Sequence, residues 1–186
     1  GAVYKRQLYD RSINDPDGFW TEHAERLHWI EKWHTLTESD FDKAQIRWFI
    51  GGKLNACYNC VDRHVDDGHG DDTALIWEGN DPTESRTFTY RELQTEVQRA
   101  ANALKNLGIA KGDRVCIYMQ MIPESTIAML ACARIGVVHS IGFGAFSADS
   151  LVTRFLDSEC KAIISQDTGL RGTNLDLPMK PNAYHL

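Results

Sequence analysis

The sequence has little of what marks a membrane, secreted or nucleic-acid-binding protein. No apolar run approaches the roughly 20 residues that a membrane-spanning helix needs, and no charged-then-apolar leader precedes Tyr4. Lys and Arg number 20 against 26 Asp and Glu, and the net charge of -6 argues against a nucleic-acid or membrane surface as the main partner. The 5 cysteines are odd in number and too sparse for a disulfide scaffold. We therefore expect free thiols in a reducing compartment, the cytosol or an organelle matrix.

Two nucleotide-binding fingerprints are also missing. The glycine loop at residues 142–146 does not read G-x-G-x-x-G, and the chain contains no GK[ST]. What is present is 42% hydrophobic and 10% aromatic residues, ample for a core in a chain of 186 residues. These observations predict a globular protein without either common phosphate-binding loop.

Residues 111–146 carry the clearest fold signal. Residues 115–119 form a short, apolar, β-branched run, which predicts a buried strand. Pro123 suits the first position of a helix, and Gly136 suits the left-handed residue that ends one. A second apolar run at 137–141 then leads into the glycine loop. This order predicts a βαβ unit, whose loops at the strand carboxyl ends are where open α/β sheets bind ligands.

The flanking segments extend this pattern in both directions. Residues 73–77 and 86–89 predict a β-hairpin around a turn at 79–82. Thr89 and Glu92 fit a capping box, and the helix after them has an apolar stripe closed by Gly108: Leu93, Val97, Ala100, Leu104 and Leu107. Ser147 can cap a further helix before a third strand at 161–165. The tail from Asp167 shows no periodicity, which is typical of chain that packs against something further on.

Aromatic residues and a cysteine pair mark the N-terminal part. Asp15 and Pro16 predict the start of a helix that buries Phe19, His23, Leu27 and Ile30. The four nearby tryptophans favour a packed helical layer over a base-stacking platform, because the surrounding charge is mixed. The predicted fold is α/β: a helical N-terminal extension at 1–70, then a β-hairpin and a parallel βαβαβ layer at 71–186.

Cys57 and Cys60 form a C-x-x-C motif close to His64 and His69, a pattern found in zinc sites and in redox-active cysteine pairs. Only three residues separate Cys60 from His64, whereas a zinc finger needs about a dozen between its Cys and His pairs. The alternative is a helix that buries one face, carried by Leu54, Cys57, Val61 and Val65. We favour that helix, with no metal and no disulfide.

Three longer stretches resemble one enzyme family. They read WFIGGKLNACYNCVDRH, FTYRELQTEVQRAANALKNLGIAKGDRVCIYMQMIPESTIAMLACARIGVVHSIGFGAFS and GLRG, and they are similar to the N-terminal part of AMP-forming acetyl-CoA synthetases. The resemblance implies an incomplete part of a larger acyl-adenylating domain, from a ligase that makes acetyl-AMP from acetate and ATP and then transfers acetyl to coenzyme A. Mg²⁺ and basic side chains would neutralise the phosphates. The partners would be these small molecules and the remainder of the same polypeptide.

The resemblance also assigns part of a coenzyme A site, and no catalytic or metal-binding residue. Phe143, Gly144 and Ala145 match the loop that carries adenine and pantetheine in relatives. Arg171, Gly172, Thr173 and Asn174 match the segment that meets the phosphorylated ribose. An aromatic face, a bare backbone and a guanidinium fork suit those contacts. Residue type alone favours the alternative that Phe143 and Phe146 merely plug the end of the sheet, and only the family resemblance reverses that preference.

Three positions depart from the family pattern. Relatives usually have Gly where this chain has Ala145, Pro where it has Gln120, and a basic residue where it has Asn174. The resemblance implies that the phosphate loop, the ribose-binding acid, the acetate pocket and the catalytic Lys lie beyond Leu186. We therefore expect this chain alone to be inactive.

Three functions remain open from the sequence. The first is the N-terminal segment of an acetate-activating ligase, and the second is the same kind of segment from an enzyme for propionate or another short acid. The third is a non-catalytic fragment used as an interaction module. The length of the native polypeptide separates the third from the others.

Overall fold

Two units, Gly1–Asn55 and Ala56–Leu186, divide the chain in a computed structural model that describes residues 2–144, 146–171 and 174–184. Residues 56–70, which the sequence analysis assigned to the N-terminal extension, cluster with the second unit. The domain division of the whole protein stays a prediction.

The first unit contains two helices and an antiparallel hairpin. Helix α1 spans Ala2–Asn14, helix α2 spans Pro16–Ala24, and strands β1 (Thr35–Asp40) and β2 (Gln45–Ile50) pair antiparallel. Helix α1 and the hairpin were not predicted. Asp15 caps α2 as predicted, and its carboxylate accepts from the backbone N–H of Gly18 at 3.1 Å.

The end of α2 corrects one prediction. Leu27 and Ile30 are exposed, because the helix ends at Ala24 and does not continue through them. The indole N–H of Trp29 donates to the carbonyl of Ala24 at 2.8 Å, so a side chain satisfies an acceptor that a further helical turn would have used. Trp29 in turn packs against Trp33 and Phe49, with ring centroids 4.9 and 5.5 Å away.

The second unit begins with a helical segment that includes π-helical turns at Tyr58–Asp62 and Val65–His69. Strands β3 (Thr73–Glu78) and β4 (Ser85–Thr89) then form the predicted hairpin, followed by helix α3 (Tyr90–Asn106). Thr89 and Glu92 form the predicted capping box. Leu107 was expected in the buried stripe but is 75% exposed, because the helix has already ended and Leu107 is its C-cap.

Three parallel strands form the sheet that the sequence predicted. Strands β5 (Arg114–Met119), β6 (Val138–Phe143) and β7 (Ala162–Ser165) lie in the order β6-β5-β7, and both pairings are parallel. Helix α4 (Pro123–Ile135) connects β5 to β6, and helix α5 (Ala148–Asp157) connects β6 to β7. Pro123 opens α4 and Gly136 ends it at φ 73°, as predicted.

The central strand divides the core into two layers. Val115 and Ile117 pack with buried residues of α3 and α4, which form the larger cluster. Cys116 and Tyr118 point to the opposite face and pack with Leu151 of α5 and with Met179. This period-two alternation follows from strand geometry and places β5 at the centre of the unit.

The tail is more regular than its sequence indicated. Strands β8 (Thr168–Arg171) and β9 (Asn174–Pro178) form an antiparallel hairpin, and helix α6 (Met179–Ala183) buries Met179 in the smaller layer. Strands this short carry too few residues to show a periodicity. Within the described residues, no helix is both long and apolar enough to span a bilayer.

Candidate functional site

A pocket of about 540 Å³ lies where β5 and β6 end. Four segments of the second unit line it: the turn of the β3–β4 hairpin, the loop after β5, the end of β6, and the β8–β9 hairpin. It lies beyond the carboxyl ends of the parallel strands, where the sequence predicted that a ligand would bind. The walls are mainly apolar, formed by Trp77, Met119, Met121, Ile122, Ile141, Phe143, Leu170 and Leu177.

The aromatic pair at the end of β6 is divided between the pocket and the core. Phe143 is 67% exposed and lines the pocket, whereas Phe146 packs against the smaller core layer. The two rings meet edge to face with centroids 5.8 Å apart. The backbone carbonyl of Phe146 also accepts from the buried hydroxyl of Tyr118 at 2.9 Å. Phe146 is therefore held by the core, and the ring of Phe143 is available to a ligand.

Gly144 allows a close approach between two loops. A Cβ atom at this position would lie 2.9 Å from Cγ of Gln120 and 3.3 Å from the carbonyl oxygen of Met119. Both distances are shorter than ordinary contacts, so the missing side chain leaves room for the loop that follows β5. The absence of a side chain at Gly144 thus lets Gln120 pack closely and also helps to shape the pocket.

Gln120 joins the loop after β5 to the β8 strand. Its side-chain carbonyl accepts from the N–H of Leu170 at 2.7 Å, and its amide donates to the carbonyl of Leu170 at 2.8 Å. Its own backbone N–H donates to the side chain of Gln166 at 2.7 Å. Sequence reasoning identified Gln120 only as a departure from the family pattern, because a bond between segments 50 residues apart leaves no local signal.

The opposite wall is tied to the same loop. The indole N–H of Trp77 donates to the carbonyl of Met121 at 2.7 Å, so the β3–β4 hairpin holds the loop from the other side. Met121 itself is exposed. Trp77 was not among the predicted site residues, although aromatic side chains commonly line ligand pockets.

The two predicted site segments meet only in part. Leu170 lines the pocket with Phe143 and Gly144, and Arg171 follows Leu170 at the end of β8, opposite Asn174 in the register. Ala145, Gly172 and Thr173 lie outside the described residues, as do the side chains of Arg171 and Asn174. Phe143 and the backbone leading to Arg171 thus border one pocket.

The pocket carries little acid–base chemistry. Among its described lining residues, Glu78 alone has an ionisable side chain. Apolar walls with a few amide and backbone groups suit the binding of a ligand, whereas general acid–base catalysis needs positioned titratable groups. The described lining therefore suits ligand binding better than acid–base catalysis.

Comparison with known proteins shows that two family models match the chain. Residues 61–181 match the model of the AMP-binding enzymes, and residues 5–60 match that of the acetyl-coenzyme A synthetase N-terminus. The chain belongs to the AMP-binding enzymes. The resemblance noted in the sequence is confirmed.

Similar proteins extend well beyond the residues compared. The chain is 55% identical to an acetyl-coenzyme A synthetase of Syntrophus aciditrophicus, over 97% of its own length and 28% of that relative. It is 52% identical to one of Magnetococcus marinus, over 95% of its length and 27% of the relative. The solved acetoacetyl-CoA synthetase from Streptomyces lividans superposes with a TM-score of 0.79 at 26% identity, covering 90% of this chain and 26% of that one. The chain thus spans about a quarter of the length of these AMP-binding enzymes.

The C-x-x-C motif lies on the helical segment of the second unit, and neither cysteine lines the pocket. Cys57 and Val61 are fully buried as predicted, whereas Leu54 is exposed because it precedes the helix. Cys60 is exposed, so the two thiols face different environments. In the described part of the chain, no three His, Cys, Asp or Glu side chains gather as metal ligands would.

The buried neighbour of Cys57 is an ion pair. Asp62 accepts from the guanidinium of Arg134 at 2.7 Å and from the amide of Gln94 at 2.8 Å. These bonds connect the helical segment to α3 and α4. Burial is the main reason that the pKa of Cys57 is raised, and the adjacent carboxylate of Asp62 adds to it. A thiol with a raised pKa is a poor nucleophile and a poor metal ligand at neutral pH.

Proposed function

We propose that these residues form the N-terminal part of an AMP-forming acetate–CoA ligase, which activates acetate with ATP and transfers acetyl to coenzyme A. The proposal takes its substrate from the bacterial relatives, which are acetyl-coenzyme A synthetases. Propionate and other short acids stay the alternative, because the acyl pocket of the family lies beyond residue 186. No described feature favours the alternative.

The proposed reaction has two steps with different demands. A carboxylate is a poor acyl donor, so in the first step its oxygen attacks the α-phosphorus of ATP and pyrophosphate leaves. The resulting mixed anhydride, acetyl-AMP, has AMP as the leaving group that the carboxylate lacks. The thiol of coenzyme A then attacks the acyl carbon and AMP departs. In this scheme Mg²⁺ and the ATP-binding residues belong to the first step, and the pocket beside Phe143 belongs to the second. The described residues contribute binding of the second substrate and no group that reacts.

The proposed coenzyme A surface consists of Phe143, Gly144 and Ala145 on one side and residues 171–174 on the other. One observation carries it: the exposed ring of Phe143 and the backbone of Leu170, the residue before Arg171, border the same apolar pocket. An exposed aromatic face suits an adenine ring, and a guanidinium suits a phosphate. A pocket of about 540 Å³ accommodates part of a molecule of this size.

The test compares the two half-reactions in the native polypeptide that contains these residues. Arg171→Ala should raise the apparent KM for coenzyme A about tenfold or more, because a charge-assisted hydrogen bond contributes roughly 1.5–3 kcal/mol. Acetate-dependent pyrophosphate exchange, which reports adenylation, should fall much less. Asn174→Arg should lower the KM if the missing basic residue matters. Arg99→Ala, at an exposed site on α3, is the matched control. Equal loss in both assays would refute the coenzyme A assignment.

A second measurement addresses the role of this chain by itself. The isolated 186 residues should not support pyrophosphate exchange, because in the proposed enzyme the phosphate loop lies outside them. Exchange above background from a preparation of verified mass would show that the adenylation site is here. We place the whole enzyme in the cytoplasm or an organelle matrix, and separation of cell extracts into soluble and membrane fractions tests that location.

A further inference from the structure

The side-chain amide of Gln120 pairs with the backbone of β8 in the way that a residue of a neighbouring strand would. Its carbonyl and its N–H group exchange a pair of hydrogen bonds with the backbone of Leu170, at 2.7 and 2.8 Å, as two residues of neighbouring antiparallel strands would. Gln120 is half-buried at the base of the pocket, and its backbone N–H is held by Gln166 at 2.7 Å. Two bonds therefore connect the loop after β5 to strand β8, and a third connects it to the segment just before that strand.

Two glycines leave the space that this arrangement needs. A Cβ atom at Gly144 would lie 2.9 Å from Cγ of Gln120, and one at Gly169 would lie 2.8 Å from Cδ of Gln120. Both glycines are buried, and neither has a positive φ angle. Their missing side chains therefore serve close packing around Gln120, since no unusual backbone conformation calls for glycine at these positions.

We propose that Gln120 is a positioning residue that sets the distance between the β8–β9 hairpin and the ring of Phe143. The hairpin carries Arg171 one residue after Leu170, so the pair of bonds fixes the backbone from which that guanidinium extends. Phe143 lies across the same pocket. The role of Gln120 in ligand binding rests on the coenzyme A function proposed above. The coupling of the loop to the hairpin does not depend on that function.

The coupling acts on the ligand through geometry. In the proposed site, coenzyme A contacts an aromatic ring and a phosphate-binding segment at the same time. Its affinity therefore depends on whether the distance between them is already fixed before it binds. Without the amide, the hairpin keeps its internal pairing but loses two of its bonds to the loop. The ligand must then order the hairpin itself, which raises KM more than it lowers kcat.

The experiment uses the native polypeptide with Gln120→Leu, which keeps the bulk and removes both hydrogen-bonding groups. Gln120→Glu keeps an acceptor for the Leu170 N–H and loses the donor. Gln98→Leu, at an exposed position on α3, is the matched control. Hydrogen–deuterium exchange of peptides covering residues 166–171 reports the coupling, and steady-state kinetics report the apparent KM for coenzyme A and kcat.

In Gln120→Leu we expect exchange at residues 166–171 and the KM for coenzyme A each to rise about fivefold to tenfold, since two net hydrogen bonds are lost. Gln120→Glu should fall between Gln120→Leu and the unmodified protein, and Gln98→Leu should match the unmodified protein. Unchanged exchange in Gln120→Leu would overturn the positioning role. Faster exchange with an unchanged KM would keep the coupling but overturn its role in coenzyme A binding. Failure of Arg171→Ala alone would refute the assigned phosphate contact and leave the coupling standing.

Discussion

Strand β5 and the strand ends that border the pocket both consist largely of apolar residues, but the surroundings of these residues differ. Val115, Ile117 and Tyr118 are enclosed by helices on both faces of the sheet. At the strand ends, Ile141, Phe143 and Met121 remain exposed, and bonds from the side chains of Gln120 and Trp77 hold the loops. Packing therefore holds the middle of the sheet, whereas a few hydrogen bonds between side chains and backbone hold its edge.

This difference separates stability from binding within one unit. Burial of apolar area contributes most of the folding free energy, so substitutions in β5 should act on stability first. Exposed apolar side chains around a pocket contribute little to folding and are available to a ligand. The four predictions below test that separation, from the largest expected effect to the smallest.

Removing side-chain volume from β5 should have the largest effect. Ile117→Ala is expected to lower the free energy of unfolding by about 4 kcal/mol, because Ile117 is fully buried and the cavity cannot close. Ile141→Ala, on the neighbouring strand and 52% exposed, should cost less than about 1 kcal/mol. Urea unfolding followed by circular dichroism measures both. Similar losses in the two variants would mean that the edge is as tightly packed as the centre.

Breaking the buried ion pair should have the next largest effect. Arg134→Leu is expected to destabilise the chain by about 3 kcal/mol, since the carboxylate of Asp62 stays buried without its partner charge. The exposed pair of Arg99 and Glu96 offers a control, and Arg99→Leu should change stability by less than about 1 kcal/mol. Equal effects of the two substitutions would show that Asp62 gains access to water.

Adding one methyl group at the edge should have a smaller effect that depends on Gln120. Gly144→Ala should destabilise by about 1–2 kcal/mol, because its Cβ atom would meet Cγ of Gln120 at 2.9 Å. Gln120→Ala removes that Cγ atom, so the double variant should lose less stability than the sum of the single changes. Strict additivity in this cycle would show that the added methyl group does not clash with Gln120. The carbonyl oxygen of Met119 is its next nearest contact.

The last prediction has the smallest effect at neutral pH, because it concerns buried thiols that lose their protons only in alkaline solution. Burial raises the pKa of Cys116 and of Cys132 from 9.0 to about 11. Between these values the unfolded chain loses protons that the folded chain keeps, so stability should decline as pH rises from about 9 to 11.

Urea midpoints across that range measure the pH effect. Cys132→Ala should flatten the decline, whereas Cys60→Ala should not, because Cys60 is exposed. A decline of equal slope in Cys132→Ala would assign the pH effect to other groups.

Iodoacetamide at pH 8 should also modify Cys60 well before Cys116 or Cys132 in the folded protein, since thiolates react and buried thiols do not.

Local signals predicted the second unit well. The capping box at Thr89, the proline at the start of α4 and the left-handed Gly136 each act within a few residues, so their effects can be recognised without tertiary information. The order of strand, helix and strand predicted the parallel pairing, because a crossover of that length brings the second strand back beside the first. The site positions came from the family resemblance and not from these patterns.

The first unit and the tail were predicted less well. Helix α2 ends at Ala24, whose carbonyl accepts from the indole of Trp29, and no rule of spacing anticipates such a contact. The β1–β2 and β8–β9 hairpins have strands of six residues or fewer, with mixed polarity. Each hairpin pairs strands that are adjacent in the chain, but the propensity of such short segments is too weak a signal to identify them as strands.

The sequence alone determined the parallel layer, its capped helices and the family, because periodicity, caps and extended similarity are all written along the chain. Tertiary structure decided which apolar residues at the strand ends are buried and which are exposed. Phe143 and Phe146 are the same residue type three positions apart, yet one borders the pocket and the other joins the core. It also gave Gln120 its partner 50 residues away. Both outcomes depend on what packs alongside, and solvent exposure is a property of the folded arrangement.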